Sequence, residues 1–181
     1  MTVKSSLPEW NSPSDAFDSL FQFATCIDSP HYFEFLSRNP YYQQAFNTTM
    51  GMSFRRRGKG WFDIFPVADR LRVPSDVDPL LVDIGGSQGG NLLKFKAQFP
   101  TLKGSSSCKI CPQCHDFFQG QPVKNAKTYF MRTGLHDWPD KLAAQILGRV
   151  RDSMGPGSVL LVHEIMLPES GVLLSSVLSD M

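Results

Sequence analysis

Two stretches of the chain carry residues whose types and spacing could do chemistry. The first is Leu80 to Pro100, LLVDIGGSQGGNLLKFKAQFP. An acid, Asp83, closes an apolar run and is followed by Gly85, Gly86, Gly89 and Gly90. Glycine permits backbone angles closed to other residues, and it lets a ligand approach bare main chain. At a strand–turn–helix this is the chemistry of nucleotide binding. A phosphate loop would end in Gly-Lys-Ser/Thr, and Gly89-Gly90-Asn91 does not. A G-x-G-x-x-G fingerprint fits poorly, whereas D-x-G-G-x-x-G fits Asp83, Gly85, Gly86 and Gly89 without forcing. A glycine turn that binds nothing remains open on these residues alone. The second stretch is Cys108, Cys111, Cys114 and His115. C-x-x-C is zinc-ligand spacing, but a structural site usually pairs two such knuckles, and here every candidate crowds into one short run. No metal is expected.

The elements that must position these residues follow from hydrophobic period. Leu80-Leu81-Val82 reads as a buried strand, residues 84–90 as a tight turn, and Leu92, Leu93, Phe95 and Phe99 as one face of a helix. Residues 126–131, AKTYFM, form a second strand rich in β-favouring types. Leu135 to Pro139 is a loop and helix entry, and His136 by itself reads as a capping or core histidine. Asp140 to Met154 is an amphipathic helix ended by Gly155-Pro156-Gly157. Ser158 to Ile165 is a buried strand carrying His163 and Glu164 at its end. Strand–helix units thus flank the cysteine stretch on both sides, which is an α/β pattern.

Upstream, residues 1–15 read as a flexible arm and residues 16–50 as short aromatic-rich helices divided by Pro30 and Pro40. Such a wealth of aromatics should cover the domain, close over a small-molecule pocket or meet a second subunit. Residues 54–60, FRRRGKG, read as a solvated basic loop. The chain has 181 residues, 41% hydrophobic and 19% charged, with a net charge of +1. That balance suits one globular domain and argues against a nucleic-acid partner held mainly by phosphate contacts. No apolar run approaches the roughly 20 residues that span a bilayer. The N-terminus lacks the apolar core of a signal peptide, so a cytoplasmic location is expected.

Three segments together resemble one family. LLVDIGGSQGG looks like its motif I, HDFFQGQPVKNAKTYFMRTGLHDWPD like its central region, and ILGRVRDSMGPGSVLLVHEIMLPESG like the helix, turn and strand that follow. The family is the plant- and fungal-type S-adenosylmethionine-dependent O-methyltransferases of small molecules, the caffeate/flavonoid type, and the likeness is nearest to fungal secondary-metabolite members. The resemblance spans residues 16–103 and 115–171. It implies an incomplete Rossmann-like methyltransferase domain over residues 76–181, preceded by a helical remnant and linker of a dimerisation and substrate region over residues 16–75.

It also implies the chemistry and its residues. A methyl group passes from the sulfonium of S-adenosylmethionine to a hydroxyl of a small aromatic or polyketide-like acceptor. His136 would be the base that takes the hydroxyl proton, and Glu164 the acid that orients its imidazole. Asp83, Gly85, Gly86 and Gly89 would lie beside the amino-acid end of the cofactor. Asp116 would meet the adenine amine and Phe117 pack on its ring. Family members are usually homodimers. Against the family pattern, most of the N-terminal region and the last strands are missing, and the cysteine stretch replaces the second strand with its ribose-binding acid. Ser106 to Pro112 can be written as an out-of-frame reading of such a strand, which would make it a relic. Impaired turnover is therefore expected, and the rival readings are an inactive methyltransferase-like binding protein or a small zinc-binding protein.

Overall fold

The computed structural model describes residues 21–22, 31–56, 60–71, 73, 79–102 and 110–164. Three parallel strands, β1 (Leu81–Ile84), β2 (Thr128–Arg132) and β3 (Val159–His163), form one sheet in chain order. Asp83 pairs with Phe130 across β1 and β2, and Arg132 pairs with His163 across β2 and β3. All three strands therefore end at the same rim. The sequence reading located each of them and set their starts one or two residues early. Among the described residues β1 pairs on one side only, with β2.

Side-chain alternation divides the core into two layers. Leu81, Phe130 and Leu161 face one layer, built on Trp61, Phe62, Val67, Leu71 and Phe95. Val82, Ile84, Tyr129, Met131 and Leu160 face the other, with Ala126, Ile146 and Val150. Ile146 and Val150 belong to the helix Asp140–Arg151, whose apolar residues recur at helical spacing. Its acid lies in the first turn and Arg149 and Arg151 in the last, which suits the helix dipole. Tyr129 is fully buried, and its hydroxyl oxygen lies 2.8 Å from both the Val123 and Ser153 carbonyls while accepting from the Ala126 N–H. That bond set ties the chain entering β2 to the end of the helix after it.

Ahead of the sheet lie two helices, Tyr32–Arg38 and Pro40–Arg56. Pro40 does open a helix, since its fixed φ suits a first turn. The basic segment departs from expectation: the helix continues through Arg56, so residues 54–56 are helical, and only residues 57–59 of that stretch fall outside the description. Arg is a good helix former, and a run of it does not by itself stop a helix. Trp61–Asp63 is a single 3₁₀ turn, Val67–Arg70 one helical turn, and Gly90–Gln98 the helix after β1. Residues 1–15, Pro30 and residues 103–109 lie outside the described residues.

Candidate functional site

The carboxyl ends of parallel strands are where α/β proteins bind ligands, and Asp83, the glycine turn, His136 and Glu164 lie at that rim. Beyond β3, Glu164 reaches across to the loop that follows β2. Its Oε1 accepts from the N–H groups of Gly134 (3.0 Å) and Leu135 (2.9 Å), and its Oε2 meets His136 Nδ1 at 2.8 Å. The loop is held in place at its start as well, since the Thr133 N–H donates to the His163 carbonyl. Thr133 adopts φ +45°, a strained conformation for a β-branched residue, and turns the chain there. Burial works to raise the Glu164 pKa, but the hydrogen bonds from His136, Leu135 and Gly134 outweigh it, and the carboxyl titrates below its ordinary value. A carboxylate accepting three donors is a fixed negative strut. It favours the Nδ1–H tautomer of His136 and leaves Nε2 as the proton acceptor. Asp137 Oδ1 lies 3.5 Å from that nitrogen.

The glycine turn after β1 has the geometry its composition asks for. Gly85 and Gly89 adopt φ +71° and +72°, in the left-handed region. Gly86 serves differently: a Cβ there would meet Asp83 Oδ2 at 2.5 Å and Cγ at 2.6 Å. The carboxylate lies against bare backbone. Both its oxygens are buried, and neither has a hydrogen-bond partner among the described residues. Burial pushes the Asp83 pKa up to about 6, opposed by the nearby Asn91 amide and the Arg132 charge. Neither neighbour closes a bond of good geometry onto the carboxylate. They bond each other instead, Arg132 Nη1 donating to Asn91 Oδ1 at 3.1 Å. Asn91 and Arg132 were not singled out from the sequence, because nothing in their spacing pairs residues 41 positions apart.

Asp116 and Phe117 are placed by a turn. Asp116 is exposed and its Oδ1 accepts from the Phe118 N–H at 3.0 Å. Phe117 and Phe118 stand edge-on to Trp138, with ring centroids at 5.8 and 4.7 Å. The structure thus carries Phe117 to the loop of His136. Cys111 and Cys114 are exposed thiols. A cleft of about 320 Å³ opens on the other side of Glu164, lined by Trp61, Phe65, Phe130, Leu161 and His163. It is apolar apart from its end at the strand rim.

Comparison with known proteins gives a consistent likeness. Residues 109–176 match the model of the O-methyltransferase domain. O-methyltransferase asqD of Emericella nidulans is 35% identical, over 94% of this chain and 49% of that protein. Demethylsterigmatocystin 6-O-methyltransferase stcP of the same organism is 39% identical over 62% of each chain. Among solved structures, OxaC superposes with a TM-score of 0.78 at 26% identity, covering 94% of this chain and 48% of its own. LepI in complex with SAM superposes with a TM-score of 0.75 at 25% identity, covering 93% and 48%. The chain spans about half the length of most of the curated relatives it matches.

Proposed function

We propose, from the premise that this chain is a homologue of the fungal small-molecule O-methyltransferases, that its site serves methyl transfer from S-adenosylmethionine to a hydroxyl of a small aromatic or polyketide-like acceptor. The observation that carries the reading is the 2.8 Å pair of His136 Nδ1 and Glu164 Oε2 at the strand rim. A hydroxyl is a poor nucleophile until a base removes its proton. His136 Nε2 is the base, and Glu164 holds the ring and stabilises the imidazolium, as in a His–Asp pair. Asp137 adds negative charge near the same nitrogen.

For the cofactor, the donor set fits. The buried, unpartnered carboxylate of Asp83 lacks a donor that a cationic ammonium group would supply, and the bare backbone at Gly85, Gly86 and Gly89 gives room for close approach. Phe117 offers an apolar face for an aromatic base, with Asp116 beside it as acceptor. When bound, S-adenosylmethionine supplies the electrophilic methyl group. The chain's own residues orient the acceptor, take its proton and hold the resulting charge. The neighbours LepI and OxaC have been solved with SAM or SAH, and OxaC also with oxaline, which supports a cofactor pocket beside a small-molecule pocket. A cytoplasmic setting accompanies the reading.

A second reading keeps the cofactor pocket without methyl transfer. One structural neighbour, with a TM-score of 0.76, is described as a pericyclic reaction enzyme, and a shared fold does not fix the reaction. Transfer of labelled methyl from S-adenosylmethionine to a panel of phenols separates the two. Methyl transfer that is lost in His136→Ala supports the base assignment. Cofactor binding with no transfer to any phenol favours the second reading.

A further inference from the structure

His31 joins the N-terminal helices to the loop of His136. It caps the helix Tyr32–Arg38, its Nδ1 accepting from the Phe33 N–H at 3.3 Å. Its ring lies flat on Trp138, with centroids 4.2 Å apart and an interplanar angle of 7°. Phe33 extends the stack, at 6.0 Å and 27° from Trp138. Burial lowers the His31 pKa, with the Asp137 backbone and the Glu34 charge opposing it. Because Nδ1 accepts, neutral His31 carries its proton on Nε2.

The loop is held at two points. Glu164 fixes residues 134–136 from the strand side. His31 packs flat on Trp138 from the helix side. His136 lies between them, with its side chain 28% exposed, so its ring direction depends on both ends of the loop. We propose that His31 is a positioning residue for His136, clamping the His136-Asp137-Trp138 segment so that the Nδ1–H tautomer stays aimed at Glu164. The proposal rests on the methyl-transfer reading for its consequence, but its geometry can be tested without turnover.

The test is ¹⁵N NMR of the histidine side chains in the full chain and in two variants, His31→Ala and His31→Phe. In the parent, the His136 nitrogens should show a protonated Nδ1 and an unprotonated Nε2. In His31→Ala both should move toward the exchange-averaged values of a free imidazole. His31→Phe keeps a ring to stack on Trp138 but removes both nitrogens, and should show a smaller shift in the same direction. Where transfer is measurable, kcat for an unionised phenol should fall about tenfold, as expected for a base held slightly out of line, and KM for S-adenosylmethionine should hold. A nitrophenol that is already ionised should be methylated nearly as fast as by the parent, which a general loosening of the fold would not spare. Unchanged His136 signals in a folded His31→Ala overturn the proposal, and in His31→Phe they do so if the alanine variant does not fold. Absence of transfer in the parent overturns the methyl-transfer reading and leaves the NMR result to decide the role of His31.

Discussion

Two carboxylates at the strand rim have opposite electrostatic fates, and single substitutions should separate them. The carboxylate oxygens of Asp83 are buried and have no hydrogen-bond partner among the described residues, and its pKa is raised from 3.8 to about 6. That displacement corresponds to roughly 3 kcal/mol against the ionised form. A group with a raised folded pKa contributes stability fully present below its unfolded value and lost as pH rises through the folded one. The ligand-free protein should therefore lose stability between pH 3.8 and about 6 on account of Asp83. Asp83→Asn removes the charge but still buries an amide, so denaturant unfolding at pH 7 should show a gain of about 1–2 kcal/mol. The same variant should bind S-adenosylmethionine at least about tenfold more weakly, through loss of a charge-assisted bond. A gain in stability together with a loss in binding marks a ligand site, whereas a structural acid would lose stability.

Glu164 runs the other way. Its lowered pKa means that its contribution is present above the unfolded value of 4.5 and lost as pH falls through the folded one. Glu164→Gln can keep one oxygen on the Gly134 and Leu135 N–H groups, but it turns an amide N–H toward His136 Nδ1. The ring must then accept at Nδ1 and carry its proton on Nε2. The expected loss in kcat is about 10²–10⁴-fold, with the fold retained. Steady-state rates, read beside the His136 ¹⁵N tautomer signature, check it.

At the scale of elements, the glycine turn shows what a sequence can and cannot disclose. Apolar runs bounded by Gly and Pro disclosed all three strands, and the stripe of Leu142, Ile146 and Val150 disclosed the last helix, because burial imposes a period on each. The roles of Gly85 and Gly86 look alike in sequence and differ in space. Gly85 has φ +71° with open space around it, while Gly86 is occupied by the Asp83 carboxylate. Gly85→Ala should cost about 1–2 kcal/mol of backbone strain. Gly86→Ala must displace a buried side chain as well and should cost more, and pairing it with Asp83→Ala should recover much of the difference. A double-mutant cycle by denaturant unfolding measures that coupling. Contacts between distant positions were illegible for the same reason: Arg132 with Asn91, and His31 with Trp138, have no period to betray them. The helix running through Arg56 was misjudged because a basic run was given a solvent role, although Arg favours helix as well as solvent.

For the whole molecule, ligand and fold should be linked through the rim. Glu164 and Asp83 lie at the ends of strands that carry the core, so occupancy there acts on the sheet itself. The sheet has three strands, with β1 paired on one side among the described residues, and an unpaired edge leaves a fold with less to lose before it opens. A ligand that binds only the folded chain adds RT ln(1 + [L]/Kd), about 2.7 kcal/mol at a hundredfold excess over Kd. On the proposed assignment, the cationic ammonium of S-adenosylmethionine needs Asp83 ionised, and ionisation proceeds through about pH 6. The rise in melting temperature on adding the cofactor should therefore be small at pH 5 and larger at pH 7.5, although the ligand-free chain loses the last of its Asp83 contribution between pH 5 and about 6. Asp83→Asn should flatten this pH dependence. Scanning calorimetry of both proteins, with and without cofactor at the two pH values, tests it. A shift of equal size at both pH values would remove Asp83 from the cofactor site, and no shift at either would mean that this length of chain does not hold the cofactor.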